Sequence, residues 1–289
     1  MTGVQTCALP ICFPVTIGLV ASNTPGVGTA RRDLAAATYG TDKAIFGYGA
    51  TAPGTTRTAI TNLVSNTGVV ASNTPGVGTA RFSLAAAGYG TDKAIFGFGS
   101  APGSSRLTNL VSNTGVVASD TPAVGKGRTE LAAAGYGGDK AIFAYGTGFS
   151  PAGAVSNLVS NTGVVASDTP LVGTSRTALA AAGYGGDKAI FGYGGVAGPY
   201  AGLSLTNLVS NSGVIASDTS GVGTGRPFLA ATGYGGDKAI FGYGADPTTF
   251  NALNVLNLVS NTGVVASNTF ATGTLSRYSL AAAGYSTTP

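Results

Sequence analysis

The chain has 289 residues, of which only 9% are charged, with 47 glycines, no histidine and a formal net charge of +4. A soluble domain carries about 25% charged residues and about 7% glycine, so this composition favours a chain dominated by turns and backbone hydrogen bonds. The absence of histidine excludes the commonest general base and metal ligand. The small net charge gives no indication of nucleic acid binding. No apolar run is long enough to predict a membrane-spanning helix.

Residues 1–12 differ from the rest of the chain and contain both cysteines and the single methionine. Met1–Ile11 resembles the conceptual translation of a sequencing-library adapter, and similarity to the remaining chain fades upstream of Val15. A signal peptide is the alternative, since Cys7–Val20 is largely apolar, but the basic region that opens such a peptide is not present. We therefore expect 1–12 to be non-native, 13–289 to form one domain, and the native N-terminus to lie further upstream.

The rest of the chain consists of one repeat, which is decisive for the fold class. Asp-Lys-Ala-Ile-Phe begins five times at intervals of 47 to 50 residues, at Asp42, Asp92, Asp139, Asp187 and Asp237. Asn-Leu-Val-Ser begins 30 residues before the next Asp-Lys-Ala-Ile-Phe in every case. From each Asp of Asp-Lys-Ala-Ile-Phe to the next Asn, the distance varies from 17 to 20 residues. All of this length variation falls in one segment per repeat. We call these the variable segments: Ala50–Thr61, Ser100–Thr108, Thr147–Ser156, Gly195–Thr206 and Ala245–Leu256.

Each repeat contains four short strand signals and no helix signal. In one copy they are Leu84–Tyr89, Lys93–Gly99, Asn109–Ser112 and Val116–Ser119. Gly-Thr-Asp joins the first pair and Asn-Thr-Gly joins the second pair, and both are typical of hairpin turns in which glycine supplies a positive φ. Glycine and β-branched residues interrupt every candidate helix. The sequence therefore predicts an all-β fold.

Four antiparallel strands in tandem copies of 47–51 residues predict the blades of a β-propeller. The Ala-Ala-Ala-Gly of the first strand suits the position where neighbouring sheets converge on the axis. A β-solenoid is the alternative, but it repeats over fewer residues per coil. The chain starts in a fourth strand, Leu19–Ser22, and ends after a sixth first strand, Leu280–Tyr285. We expect five complete blades and a partial sixth.

The repeat resembles a known family. Arg176-x-x-Leu179 is followed by Ala-Ala-Ala-Gly-Tyr-Gly-Gly-Asp-Lys-Ala-Ile-Phe-Gly-Tyr-Gly-Gly, which is similar to a kelch repeat. This resemblance covers nearly all of the chain after residue 15 and implies a propeller. The glycine pair is split, as in Gly47-Tyr48-Gly49, and the tryptophan of a kelch blade is absent. The near-identical copies also resemble repetitive proteins of tailed phages and uncultured microbes. The copper-radical oxidation known on some kelch-type propellers needs histidine ligands, so it is not expected here.

An arginine precedes every first strand: Arg31, Arg81, Arg128, Arg176, Arg226 and Arg277. Around the mouth of a central channel they could form an anion site, because guanidinium groups bind carboxylate or phosphate in bidentate fashion. The structural alternative is that they fix their loops by pairing with Asp120, Asp168 and Asp218, which lie eight residues before three of them. Ion-pair networks commonly stabilise architecture, so the structural interpretation is favoured.

The variable segments hold the residues that the repeat does not dictate: Arg57, Arg106, Phe149, Tyr200, Asp246 and Phe250. A constant scaffold with one variable loop per unit is typical of a binding surface, although exposed loops also vary through drift. We expect a non-catalytic module without cofactor or metal that recognises glycan or protein receptors, as a virion appendage or an extracellular or cell-surface adhesin. The alternative is a self-associating structural repeat of a surface layer or fibre.

Overall fold

The computed structural model describes residues 25–51, 56–122, 124–148, 155–196, 201–271 and 275–286, and these form short strands and turns. The described residues contain no helix, which confirms the all-β class. The segment 1–12 and the fourth strand predicted at Leu19–Ser22 lie outside the described residues.

Five copies of a three-stranded unit follow one another, and we number them repeats 1 to 5, each with the arginine that precedes it. The first strands are Ala35–Tyr39, Ala85–Tyr89, Ala132–Tyr136, Ala180–Tyr184 and Ala230–Tyr234. The second strands are Lys43–Gly47, Lys93–Gly97, Lys140–Ala144, Lys188–Gly192 and Lys238–Gly242. The third strands are Thr61–Val64, Leu107–Val111, Val155–Val159, Thr206–Val209 and Val255–Val259. In every copy the second strand lies between the other two, antiparallel to both.

Shorter strands complete the architecture. Fourth strands of two residues occur at Thr121–Pro122, Thr169–Pro170 and Thr269–Phe270. Small ladders outside the main sheets involve Arg31–Arg32, Ala50–Thr51, Thr56–Arg57, Ser100–Ala101, Gly103–Ser104, Arg128–Thr129 and Thr147–Gly148.

The second strand ends two residues earlier than predicted, at Gly97 rather than Gly99. Phe98 has a φ of 64° and Gly99 a φ of 93°, so the backbone leaves the extended conformation. The backbone N–H of Phe98 then bonds the Leu107 carbonyl at 2.9 Å, within the repeat. The N–H of Gly99 reaches the carbonyl of Arg128 in the next repeat at 2.8 Å. The Gly-aromatic-Gly segment therefore links neighbouring repeats.

The fourth strand is also placed differently from the prediction. Of the predicted Val116–Ser119, only Val117 bridges to the third strand, and the ladder resumes at Thr121–Pro122. Between these points the side-chain amide of Asn109 donates a 3.1 Å hydrogen bond to the Ala118 carbonyl. The side chain replaces a ladder bond, and the outer strand bulges around it.

The core lies between neighbouring repeats, because the second strands present an aromatic residue to a glycine of the preceding repeat. A Cβ added to Gly47 would lie 2.7 Å from the Cζ of Phe96, and one added to Gly97 would lie equally close to Phe143. The phenylalanines also pack edge-on against the aromatic of the preceding Gly-aromatic-Gly segment, with centroids 5.1–5.5 Å apart. Adjacent repeats are therefore locked together by shape as well as by apolar burial.

A cycle of backbone hydrogen bonds connects all the repeats. Each N–H donates to the equivalent carbonyl of its neighbour: Asp33 to Ser279 (3.0 Å), Ser279 to Phe228 (3.0 Å), Phe228 to Ala178 (2.8 Å), Ala178 to Glu130 (2.9 Å), Glu130 to Ser83 (2.9 Å) and Ser83 to Asp33 (2.8 Å). The last bond returns to the first residue. Repeats 1 to 5 and the C-terminal segment 275–286 therefore surround one axis.

The C-terminal segment occupies a sixth first-strand position without forming a strand. Leu280–Tyr285, predicted as a strand, has no ladder among the described residues. A Cβ on Gly284 would nevertheless lie 3.6 Å from the carbonyl oxygen of Gly233 in repeat 5 and 3.7 Å from a methyl carbon of Thr38 in repeat 1. The segment thus stands between the first and last repeats.

Candidate functional site

The variable segments begin beside the arginine loops, at one end of the strands. Arg31–Arg32 pairs with Ala50–Thr51, and Arg128–Thr129 pairs with Thr147–Gly148. Single bridges make the equivalent connections elsewhere: Phe82 to Ser100 and Thr177 to Gly195. The Asp-Lys turns lie at the opposite end of the same strands. The described parts of the variable segments therefore share one end, which we call the variable face.

Arg57 lies on the variable face and bridges two repeats. Its guanidinium carbon is 5.3 Å from the centroid of the Phe82 ring, and its Nε donates to the Ser100 carbonyl at 3.3 Å. The side chain is exposed, and these two contacts hold it against the loop of repeat 2. This exposed side chain therefore lies at a repeat boundary.

Arg106 is exposed and lines a hollow of about 230 Å³. Ser104, Ser105, Pro102 and Pro122 contribute to the same hollow. This combination offers a cation, two hydroxyls and two rigid apolar rings. Such groups suit the hydroxyl and ring faces of a sugar or a polar peptide loop.

Asp246 and Phe250 belong to one compact turn in repeat 5. One carboxylate oxygen of Asp246 accepts hydrogen bonds from the N–H groups of Thr249 (2.7 Å) and Thr248 (2.9 Å). These bonds, the one from Thr249 first, lower the pKa of Asp246 below its usual value. Phe250 has a φ of 56° and is 46% exposed. The aspartate therefore shapes the turn that displays the aromatic ring.

The six predicted binding residues do not converge on one pocket in the part of the chain that the structure describes. Arg57 and Arg106 lie on adjoining repeats, while Asp246 and Phe250 form a separate turn. Phe149 and Tyr200 lie outside the described residues. The candidate site is thus a broad face rather than a cleft.

The arginines before the first strands lie inside the protein at the repeat boundaries. Arg81, Arg128, Arg176 and Arg226 are 0–2% exposed, whereas Arg31 is half-buried and Arg277 is exposed. Each of the four buried guanidinium groups covers an aromatic ring of the preceding repeat, at 4.4–4.8 Å from the centroid. Cation–π contacts of this kind gain strength when water is excluded.

Carbonyl and carboxamide oxygens accept hydrogen bonds from these arginines. Arg81 donates to Asn109 at 2.7 Å, and Arg128 donates to Asn157 and, at 2.6 Å, to the Val155 carbonyl. Burial lowers the pKa of Arg128 to about 10, against the opposing effect of Asp168, so the group remains charged at neutral pH. The terminal guanidinium nitrogens of Arg128 are therefore engaged, whereas the buried Nε atoms of Arg81, Arg128 and Arg176 have no hydrogen-bond partner among the described residues. Because the guanidinium groups are buried at the repeat boundaries, the geometry favours the structural interpretation over an anion ring.

The expected arginine–aspartate pairing is different from the one that forms. Asp120, expected to pair with Arg128 eight residues later, instead pairs at 3.5 Å with Arg81, which lies 39 residues earlier in the chain. Burial disfavours the ionised form of Asp120, but hydrogen bonds from Thr79 and Asn109 outweigh it and lower the pKa of this carboxyl. The aspartate therefore fastens the loop of the preceding arginine, because the bulged fourth strand returns over that loop.

Sequence reasoning missed the third-strand asparagine as the centre of this network. Asn109 accepts from Arg81 and donates to the Ala118 carbonyl (3.1 Å) and to Asp120 (2.9 Å). The same side chain is fully buried in repeats 3 to 5. A polar residue at one fixed position inside an apolar strand is the signal that could have identified it.

A second set of variable residues was also missed. The six residues of the hydrogen-bond cycle are of five different types, although all have φ between 51° and 60°. Together with the leucines that follow them they line a hollow of about 70 Å³ on the axis. Each follows its arginine by two positions, so this hollow opens at the same end as the variable segments. Non-repeated side chains therefore surround the axis as well as the outer loops.

Comparison with other proteins assigns no family: no protein-family model matches the chain, and no curated protein matches its sequence. Within the described residues there is no group of three acidic or cysteine side chains placed to hold a metal ion. The described part of the chain also has no helix with the length and hydropathy needed to cross a bilayer.

Proposed function

We propose that the chain is a kelch-like β-propeller with five complete blades and a partial sixth. Two observations support this fold. Five three-stranded antiparallel units have the same register, and a closed cycle of six backbone hydrogen bonds joins equivalent residues of these units and of the C-terminal segment. Small residues in the innermost strands and aromatics between units also suit radiating sheets.

We further propose that this propeller is a non-catalytic binding module that recognises a glycan or protein receptor through the variable face. The observation that carries the proposal is the separation of constant and variable residues. Repeated arginines, asparagines and aromatics are engaged in the boundaries, whereas residues that differ between repeats occupy one end of the strands. A rigid scaffold that diversifies one face is the general design of a recognition surface.

The chemistry of the variable face supports a polar ligand with some apolar surface. Arg57 and Arg106 offer guanidinium donors, and Phe250 offers an exposed ring on which a sugar or an apolar side chain can stack. Low overall charge suits a surface that meets neutral glycans. We place the protein outside the cell, on a virion appendage or as an adhesin.

A structural repeat that binds its own copies is the second candidate, and one observation favours it. Valines at one repeated position are 57–66% exposed: Val69, Val116, Val164, Val214 and Val264. They lie on the outermost segment of each repeat, where an exposed strand edge can pair with another molecule. Self-association through this edge would place repeats side by side in a layer or fibre.

The test compares the variable face with the opposite end. One variant replaces Arg57, Arg106, Asp246 and Phe250 with serine, and the matched control replaces Lys93, Lys140, Lys188 and Lys238 with serine at the Asp-Lys turns. Both are screened on a glycan array and on intact bacterial cells. We expect saturable binding that falls at least about 10-fold in the first variant only. Equal binding by both variants, or none by the unchanged protein, would contradict the proposal.

The structural alternative has its own readout. Sedimentation of the unchanged chain is compared with that of a variant carrying lysine at the five exposed valines. Assembly that the lysines abolish and the serine variant retains would favour the layer or fibre, because charge on an edge opposes strand pairing.

A further inference from the structure

The positive charges of the chain fall into three groups, and the scaffold accounts for only two of them. Every charged residue of the sequence lies in the described ranges. Of the 15 lysines and arginines, six are the boundary arginines, and six more pair at 2.6–4.0 Å with the aspartate beside them in the sequence. The remaining three are Arg57, Arg106 and Lys126. All three are exposed, and no described acidic side chain forms an ion pair with them.

These three cations adjoin one short hairpin of the variable face, residues 100–104 of repeat 2. From repeat 1, Arg57 donates through Nε to a carbonyl of this hairpin at 3.3 Å. From the arginine loop of repeat 3, Lys126 is followed by Gly127, where an added Cβ would collide with the hairpin backbone. Arg106 follows the hairpin and lines the hollow of about 230 Å³. The positive charge that the scaffold does not use is therefore concentrated on repeat 2.

The guanidinium group of Arg106 is not held by the protein. Arg57 and Arg106 each follow a Pro-Gly-x-x segment, but only Arg57 lies against a ring, that of Phe82, with its guanidinium carbon 5.3 Å from the centroid. In the next repeat the position of Phe82 is taken by Thr129. The Arg106 side chain has no hydrogen bond, ion pair or ring contact among the described residues. Its planar set of donors remains for solvent or for a ligand.

Lys126 departs from the repeat at the expense of a structural hydrogen bond. The arginine loops of repeats 1, 2, 4 and 5 carry threonine at this position. The hydroxyl of Thr79 donates to Asp120 at 2.7 Å, and Thr174 makes the equivalent bond at the same distance. In the loop of Lys126 the equivalent Asp168 retains the backbone N–H at 3.1 Å but has no hydroxyl donor. A local rule that is broken without structural gain points to a functional position.

We propose that the hollow of repeat 2 binds an acidic sugar within an otherwise neutral glycan. Arg106 and Lys126 bind the carboxylate or sulfate group, because a guanidinium group matches such anions in bidentate fashion. The Ser104 hydroxyl bonds a hydroxyl of the sugar, and the rings of Pro102 and Pro122 pack against its apolar face. This inference rests on the proposed role of the variable face and narrows the ligand of that face.

The size of the hollow and the number of cations favour one acidic sugar over a polyanion. Drug-sized ligands occupy about 300–1,000 Å³, so a smaller hollow suits a single sugar ring. A nucleic acid or an anionic membrane is bound through a wide basic surface with many lysines and arginines. Here three cations adjoin one hairpin, and the turn lysines at the opposite end are paired with aspartates. The site therefore matches an isolated anionic group.

The test uses the full chain and oligosaccharides that end in a hexuronic acid or in N-acetylneuraminic acid. Each is measured beside a counterpart whose carboxyl group is reduced to an alcohol, and sulfated oligosaccharides form a third arm. Fluorescence anisotropy gives the dissociation constants. We expect an acidic oligosaccharide to bind at least about 10-fold more tightly than its neutral counterpart, and the difference to shrink at high salt. Preference for the carboxylated or the sulfated arm supports the proposal and identifies the acidic group.

A double variant isolates the site. Arg106→Ser and Lys126→Thr introduce the residues that repeat 4 carries at these two positions. We expect the preference for the acidic oligosaccharide to disappear while the Tm is unchanged or raised, since the threonine restores a hydroxyl donor for Asp168. The matched control removes the same charge at the opposite end, through Lys93→Ser and Lys140→Ser. It is expected to retain the preference.

The outcomes that overturn the proposal differ from those that overturn the binding face itself. Equal affinity for acidic and neutral oligosaccharides, with binding still lost in the four-residue serine variant, removes the acid site and leaves the binding face intact. A preference that the double variant retains places the acid site elsewhere. Equally tight binding of a DNA duplex or of anionic lipid vesicles shows a general anion patch. Absence of binding to every oligosaccharide overturns both proposals.

Discussion

The chain uses arginine in two opposite ways, at the repeat boundaries and on the variable face. Arg128 is buried, lies 4.6 Å above the centroid of an aromatic ring and donates to fixed oxygens. Arg57 is exposed and touches one ring and one carbonyl at its rim. The difference shows that residue type alone does not decide the role of a charge. What decides it is whether neighbouring repeats enclose the group and supply acceptors for it.

The largest expected effect comes from removing a boundary arginine. Arg128→Met leaves the buried carboxamide oxygen of Asn157 without a donor, and this loss alone costs about 1–3 kcal/mol. It also removes the shorter of the two hydrogen bonds to the Val155 carbonyl, which keeps the Tyr145 N–H at 3.3 Å, and the cation–π contact with Phe98. We expect the free energy of unfolding to fall by about 3 kcal/mol in urea titration. Arg128→Lys, which keeps the charge without the planar donor set, should recover less than half of the loss. An unchanged unfolding midpoint in the methionine variant would show that the boundary arginines are dispensable.

The next effect tests the close approach between repeats. Gly97→Val places a branched side chain against the Phe143 ring, and overpacking of this kind costs about 1–3 kcal/mol. Gly97→Ala should cost clearly less, because the boundary that carries Ala144 widens by only a few tenths of an ångström. Gly242→Val is the matched control, because among the described residues the added Cβ would meet Leu256 at 3.1 Å and no phenylalanine, and it should cost less than Gly97→Val. Equal losses at Gly97 and Gly242 would contradict the difference between the two boundaries.

A smaller effect separates the aromatic packing from its hydroxyl group. The Tyr48 hydroxyl donates to the Val77 carbonyl at 3.1 Å, and repeat 2 carries Phe98 at the same position. Tyr48→Phe should therefore cost about 1 kcal/mol at pH 7, the usual net value of a hydrogen bond. Urea titration gives this value directly, and a loss above that of Gly97→Val would indicate that the hydroxyl does more than bond a carbonyl.

The same substitution should change the alkaline limit of stability. Burial raises the pKa of Tyr48 from 10.0 to about 12, so above pH 10 the unfolded chain loses this proton while the folded chain keeps it. The contribution of Tyr48 to stability is complete below pH 10 and is lost as the pH rises towards 12. We expect Tyr48→Phe to lose less stability than the unchanged chain between pH 10 and 12. A parallel pH profile for both chains would contradict this assignment.

The smallest effect is expected on the variable face. Arg57→Ala removes a rim contact from an exposed side chain, and such changes lie within about 0.5 kcal/mol. Thermal unfolding should show an unchanged Tm, while the binding measured on the glycan array should fall. Destabilisation comparable to Arg128→Met would mean that Arg57 is part of the scaffold, and the contrast between the two arginines would then fail.

Much of the local structure follows from the repeat pattern. The first three strands of each copy, the hairpin turns and the glycines opposite aromatic residues are all readable, because they depend on short-range periodicity and turn chemistry. The third strand begins two residues earlier than predicted in repeat 2, at Leu107, and ends at Val111. The bounds of the second and fourth strands were also wrong, for reasons that residue propensities do not contain. The second strand ends where Phe98 has a positive φ. The fourth strand is displaced because the side-chain amide of Asn109 donates a hydrogen bond to the Ala118 carbonyl.

The candidate site could be predicted in part. Variation in segment length identified Arg57, Arg106, Asp246 and Phe250, and the structure places the described segments at one end. The residues of the hydrogen-bond cycle were not predicted as part of the site. They vary in residue type between repeats, but the distance from each arginine is constant. The pairing of Arg81 with Asp120 was also not predicted. The two residues are 39 positions apart in the chain, and only the returning outer strand brings them together.

By itself the sequence determined an all-β chain of near-identical antiparallel units, since alternation, small residues and turn glycines act over a few residues. Only the tertiary structure decided that four of the repeated arginines are enclosed and that a cycle of hydrogen bonds closes through Ser279 and Asp33. These features depend on how the units are arranged around one axis. Identical repeats give identical local signals, so only their arrangement in space distinguishes a boundary from an edge.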